Sequence, residues 1–214
     1  MKKLLTIIVA CLIAGIATPQ QTTKELRKEL KDKAIKEARK EANKMEKEGW
    51  SVAMGSIPLA KVLESAWMKQ VMEDENGNVR YIFADGNAVA ETKSAAELQA
   101  IELGKLQLAG LIQTNMSSLI SANIGNAQLS TQEAASVTEV VQSAKNIIAM
   151  ELGYVDPSFK LYKNIKKDKI EVQVRLFYDT KQSLEIAKKV VRQELKDKLK
   201  LNEDKLEKIM GIDK

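Results

Sequence analysis

The chain has 214 residues, a net charge of +5, 29% charged residues, only 4% aromatic residues and no histidine. Its single cysteine, Cys11, lies in an N-terminal apolar stretch, which leaves the rest of the chain without imidazole or thiol. That excludes Ser-His-Asp and Cys-His nucleophile systems, zinc sites built from Cys or His, and any intrachain disulfide.

Lys2 and Lys3 precede an apolar run from Leu4 to Ile16, and Gly15-Ile16-Ala17 places small residues at the −3 and −1 positions of a cleavage site before polar Thr18-Pro19-Gln20. This is the layout of a secretory signal peptide over residues 1–17, cut between Ala17 and Thr18. The run is shorter than the roughly 20 apolar residues a membrane-spanning helix needs. An alternative cut lies before Cys11. Ile8-Val9-Ala10-Cys11 has the form of a lipobox, in which the cysteine is lipidated and becomes the new N-terminus. Loss of Lys2 and Lys3 with the leader lowers the net charge by two, and the remaining charges of both signs are interspersed, so the pattern gives weak support to a polyanionic partner.

Residues 18–56 read as a charged helical arm and a loop. Leu26, Leu30, Ala34, Ala38, Ala42 and Met45 form a narrow stripe at helical spacing within a run dominated by Lys, Arg, Asp and Glu, which suits a solvated helix touching a neighbour along one edge. Gly49 ends it, and Trp50 to Ser56 reads as a loop. Pro58 begins a further helix carrying Leu59, Val62, Leu63, Ala66 and Trp67. Asp74-Glu75-Asn76-Gly77 is a turn. Asp74, Asn76 and Asn78 are spaced like the start of a calcium loop, but the glycine is misplaced and no closing glutamate follows. A strand is expected from Val79 to Ala84, and Gly86 to Ala90 leads into a long core helix over about 92–120.

Ser130 and Glu133 form a capping box ahead of a helix over about 131–148. Its extension from Ile147 to Val155 suits helix or strand. Phe159–Ile165 and Ile170–Asp179 read as a hairpin. In the second strand Ile170, Val172, Val174, Leu176 and Tyr178 share one face, and Glu171, Gln173 and Arg175 the other. The chain closes on amphipathic helices over 181–214, with Asn202 capping the last and Gly211 ending it. Their apolar stripe lacks aromatics, which favours packing on the chain's own domain over lying on a membrane.

No phosphate-cradling glycine loop is present. Glu97 and Glu102 have no special environment readable from sequence, and no Ser-x-x-Lys motif stands out. No cofactor and no nucleic-acid partner is expected.

The segment 80–178 resembles small bacterial envelope lipoproteins of the Lpp-twenty type. The likeness rests on the strand ending in Gly86-Asn87-Ala88, the alanine-rich helix with Ala95, Ala96, Ala100 and Ala109, and the strand Ile170-Glu171-Val172-Gln173-Val174. The stretch Trp50 to Tyr81 is similar to exported proteins of gut-type anaerobes. The resemblance implies an α+β layer domain in the envelope and carries over no catalytic residues; members of that family often carry a lipobox cysteine, for which Cys11 is the candidate position.

The expectation is therefore a two-layer α+β domain over residues 57–180, with an antiparallel sheet of three or four strands covered by the helices at 92–120 and 131–148. Charged helical arms on either side are able to pack together. The expected location is the periplasm or cell envelope, lipid-anchored if Cys11 is kept, otherwise secreted. The expected role is non-enzymatic, through binding envelope proteins or self-association, with peripheral membrane contact as a further option. Carriage of an apolar ligand such as a lipid, motivated by the apolar stretch 106–112, is the alternative. A His-independent hydrolase is the third.

Overall fold

The structure, a computed structural model, describes residues 19–165 and 168–211, with side chains from residue 32 onward apart from that of residue 34. The elements in chain order are α1 (Pro19–Lys47), β1 (Trp50–Ser51), α2 (Leu59–Gln70), β2 (Tyr81–Ala90), α3 (Lys93–Asn123), α4 (Thr131–Ser143), α5 (Lys145–Glu151), β3 (Pro157–Ile165), β4 (Lys169–Asp179), α6 (Thr180–Leu199) and α7 (Glu203–Met210). The fold is α+β. Its sheet has four strands in the order β1-β3-β4-β2, and every neighbouring pair is antiparallel.

One face of the sheet is made of small and branched residues in facing pairs: Ala84 with Leu176, Gly86 with Val174, and Ala88 with Val172. Small residues on β2 let α3 come down almost onto the strand. A Cβ on Gly86 would lie 1.9 Å from the Ala100 carbonyl oxygen of α3. Thr92 starts α3 by accepting the Ala95 N–H at 3.2 Å, and Ala96, Ala100, Leu108, Ile112, Met116 and Ile120 are buried along it. The same core takes in Val137 and Val141 of α4, Ile148 of α5, Ala187, Val191 and Leu195 of α6, and Leu206 and Ile209 of α7.

The second face carries a separate core. Phe159 and Leu161 of β3 and Phe177 of β4 are buried there with Trp50, with Leu59, Leu63 and Ala66 of α2, and with Ala38 and Ala42 of α1. Helices therefore flank the sheet on both sides, where two layers were expected. The alternation along β4 made Glu171, Gln173 and Arg175 an outward polar face, but Phe177 continues that face as an apolar residue and needs its own cover.

Several local expectations change. Trp50 and Ser51 are not loop: they pair with Lys163 and Tyr162 of β3, because a buried indole anchors them to the sheet. The strand near Tyr81 does not stop at Ala84 but runs to Ala90, so Gly86 to Ala90 belong to the sheet. Residues 145–151 are helical, and the expected helix over 131–148 breaks at Ala144, whose N–H reaches back only three residues to the Val141 carbonyl. That helix does not cover the sheet. α4 packs on α3 and α6. The arms do not pack together either: α1 lies with α2 on one side of the sheet, and α6 and α7 join the α3 core on the other. Leu26, Leu30 and Ala34 of the expected stripe fall outside the described side chains, while Ala38 and Ala42 are fully buried.

Caps hold the helices as their sequences imply. Ser130 and Glu133 make the reciprocal pair of bonds at the start of α4. The Asp179 carboxylate accepts the Lys181 and Gln182 N–H groups, and Asn202 accepts the Lys205 N–H. Gly211, at a φ of 64°, ends α7.

Candidate functional site

β2 is an edge strand. β4 pairs with it along all ten residues without a register shift, and among the described residues no strand lies on its other side. The Thr180 N–H donates to the Arg80 carbonyl at 2.9 Å, while the Arg80 N–H donates to the Met72 carbonyl at 2.9 Å; the Thr180–Arg80 bond flanks Tyr81 and Asp179 as a non-hydrogen-bonded pair of the ladder. Alternation in an antiparallel pair then turns the N–H and C=O groups of Tyr81, Phe83, Asp85, Asn87 and Val89 outward.

The strand lacks the usual edge defences. It contains no lysine, proline or bulge, the devices that keep open edges from pairing. Its one charge, Asp85, is taken up by Arg175: two bonds of 2.6 and 2.7 Å join the carboxylate to the guanidinium. The guanidinium also lies 5.0 Å from the Phe83 ring and 5.4 Å from the Phe159 ring. Asn87 donates to Glu171 at 2.9 Å. Phe83 and Val89 remain 37% and 44% exposed, since α1 and α2 cover the other half of that sheet face. On the opposite face Leu103 of α3 is 44% exposed. At about 100° per residue it lies roughly 120° round α3 from Glu97, on the other flank of the buried stripe Ala96, Ala100 and Gly104. Glu97 is tied to β3, so Leu103 stands on the β2 side.

A second cluster surrounds Glu97. Its carboxylate accepts from Lys160 at 2.6 Å and from the Tyr162 hydroxyl at 3.1 Å, and Lys93 Nζ sits 3.9 Å from the centre of the Tyr162 ring. The Lys160 bond holds the Glu97 carboxyl below its usual range, and the same bond raises Lys160. Burial, helped by Glu97, pushes Tyr162 up to about 12. Glu102 does not join Glu97. It lies 3.7 Å from Lys105 on its own helix.

A cleft of about 670 Å3 separates the 73–80 turn from the start of α6, lined by Glu73, Asp74, Glu75, Arg80, Asp179 and Lys181 among others. A smaller pocket of about 190 Å3, reaching Ile112, Asn115 and Leu119, shares Thr180 and Leu184 with it. Asp74 is engaged by the Asn76 and Asn78 N–H groups, both at 2.9 Å, and by Lys181 at 3.0 Å. The Lys181 bond lowers Asp74 and raises Lys181. The lysine therefore stays an ammonium ion rather than a free amine nucleophile. Among the described residues no group of three or more Asp, Glu, His or Cys is placed to hold a metal ion.

Cys11, Ala17 and Thr18 lie outside the described residues. Among the described residues no helix is long and apolar enough to cross a membrane. The edge of β2 was not foreseen, because strand order is not written in local periodicity. The signal that was present is the absence of lysine and proline from Tyr81 to Ala90. No protein-family model, curated protein or solved structure matches the chain, and the resemblance to envelope lipoproteins stands on the sequence features alone.

Proposed function

We propose that this chain is a non-enzymatic, exported cell-envelope protein that works by binding protein through the open edge of β2. One observation carries the reading: ten residues of undefended edge strand, half of their backbone groups turned outward, rimmed by Phe83, Val89 and Leu103. An added strand would satisfy those groups, and side chains on alternate positions would give selectivity.

The charged side chains support the absence of catalysis. Every resolved shift among the described residues moves away from neutrality: Glu37, Asp74, Glu97, Glu133 and Glu203 go down, while Lys160, Lys181, Tyr162 and Tyr178 go up. General acid–base work at neutral pH favours groups tuned toward it.

A photo-crosslinking residue at position 87, introduced in living cells, tests the proposal. A discrete crosslinked species at 87, absent when the label sits at exposed Glu185 on α6, is the expected result. No discrete species at 87 would refute it.

A second reading, carriage of an apolar ligand, has one observation in its favour: the 190 Å3 pocket opening toward the larger cleft. The pocket is small against the roughly 300–1,000 Å3 of ordinary ligand sites. The larger cleft carries the ion pairs Asp74–Lys181 and Arg80–Asp179 in its lining. The seam between α3 and β2, where a ligand between sheet and helix would sit, is closed by backbone contact at Gly86.

A further inference from the structure

The partner of the β2 edge follows from the strand's own sequence. Building on the interaction-edge reading above, we infer that the strand added to β2 is the β2 of a second copy of this chain, antiparallel and centred on Gly86.

Two copies joined around a two-fold axis perpendicular to the sheet must pair residues that share a face. On β2 that means residues of equal parity, so the axis passes through a residue and not between two. Centred on Gly86, Phe83 of each copy meets Val89 of the other, Asp85 meets Asn87, and Ala84 meets Ala88. An aromatic ring against a β-branched side chain is a favourable cross-strand pair, and so is an amide against a carboxylate. Centred one residue earlier, Asp85 would face Asp85 of the other copy, an arrangement that like charges oppose. The backbone agrees with the first register. The outward groups belong to odd-numbered residues, so Asp85 and Asn87 of opposite copies exchange both N–H···O bonds. Gly86 then falls at a non-bonded pair, where the strands come closest. At that point Gly86 brings no side chain to the seam.

The result is one continuous sheet of eight strands in the order β1-β3-β4-β2-β2-β4-β3-β1. Leu103 of each copy lies above the seam, and Phe83 and Val89 lie below it.

The test uses the full chain purified from the envelope fraction. Sedimentation over a range of concentrations is expected to show a monomer–dimer equilibrium. Asn87→Asp places a carboxylate opposite Asp85 of the other copy and should weaken the dimer several-fold. Asn87→Lys places an ammonium there and should strengthen it several-fold. In a mixture of labelled and unlabelled chains, isotope-filtered NMR should show contacts from the Phe83 ring to the Val89 methyls of the other copy. A monomer at every concentration would overturn the inference. So would both Asn87 variants shifting the equilibrium in the same direction, or a dimer lacking the Phe83–Val89 contact. If the chain is monomeric and the crosslinker at position 87 captures a different protein, the edge remains an interaction surface and only self-pairing fails. If it captures nothing, both fail.

Discussion

Gly86 of β2 and Gly104 of α3 face one another where the helix crosses the strand. A Cβ on Gly86 would stand 2.7 Å from the Gly104 nitrogen and 1.9 Å from the Ala100 carbonyl oxygen, whereas a Cβ on Gly104 would meet the Leu176 side chain at 2.9 and 3.2 Å and the Gly86 nitrogen only at 3.5 Å, an ordinary contact. Backbone cannot yield as a leucine tip can. Gly86→Ala is predicted to destabilise the chain by about 3 kcal/mol or more, at the upper end of overpacking costs. Gly104→Ala should cost under about 1 kcal/mol, because helical alanine recovers roughly that much over glycine. Chemical denaturation of the two variants checks the ordering, and equal costs would mean that the seam is loose.

The second core predicts a contrast between two phenylalanines on one sheet face. Phe177 is buried at 6% exposure and Phe83 is open at 37%, although their rings lie only 5.6 Å apart. Phe177→Ala should cost about 3–5 kcal/mol, the range for removing a buried ring. Phe83→Ala should cost under about 1.5 kcal/mol, since part of its ring already meets water. Urea midpoints on the same preparations decide this.

Acid sensitivity should concentrate between α4 and α7. Glu133 accepts from Lys205 at 2.7 Å and from the Ser130 N–H at 2.8 Å. The lysine bond first, and then the serine bonds, bring its carboxyl from 4.5 down to about 2. The folded value lies below the unfolded one, so this contribution is present above about pH 4.5 and is lost as pH falls toward about 2. Glu133→Gln should flatten the loss of stability across that window and leave its shape near neutral pH unchanged. A titration of thermal midpoints from pH 7 to pH 2 reads this directly.

Much of the fold was legible in local patterns. Ser130-x-x-Glu133 became a capping box, the stripe through Ala187, Val191 and Leu195 became a buried helix face, and the alternation from Ile170 to Tyr178 became β4. What local patterns missed depends on contacts distant in sequence. Trp50 is followed by residues that read as loop, and only the β3 backbone at Lys163 and Tyr162 makes it a strand. Gly86 to Ala90 are small residues that suit a helix approach as well as a strand. What decides between these is the apolar face of β4, reached 80 to 88 residues later along the chain. The arms share a charge pattern but not a side of the sheet, because α1 follows the Trp50 core and α6 leaves directly from the end of β4. The open edge of β2 was the least legible feature, since it exists only through strand order.

Adding an edge defence should separate binding from folding. Val89 faces Glu171 across the ladder, so Val89→Lys gains a cross-strand ion pair within the chain while placing a charge at the open edge. Thermal stability is predicted to change by no more than about 0.5 kcal/mol, the usual range for a surface substitution, while recovery of the partner complex is lost. A variant that still assembles would show that β2 is not the contact.

Amide hydrogen exchange along β2, compared between the unaltered protein at a concentration where it assembles and the Val89→Lys variant, tests the central claim most directly. The account predicts that the outward N–H groups of Phe83, Asp85, Asn87 and Val89 are protected in the assembly and exchange freely in the variant, while those of Ile82, Ala84 and Ala88 stay protected in both. Outward amides that exchange equally fast in both samples would contradict it.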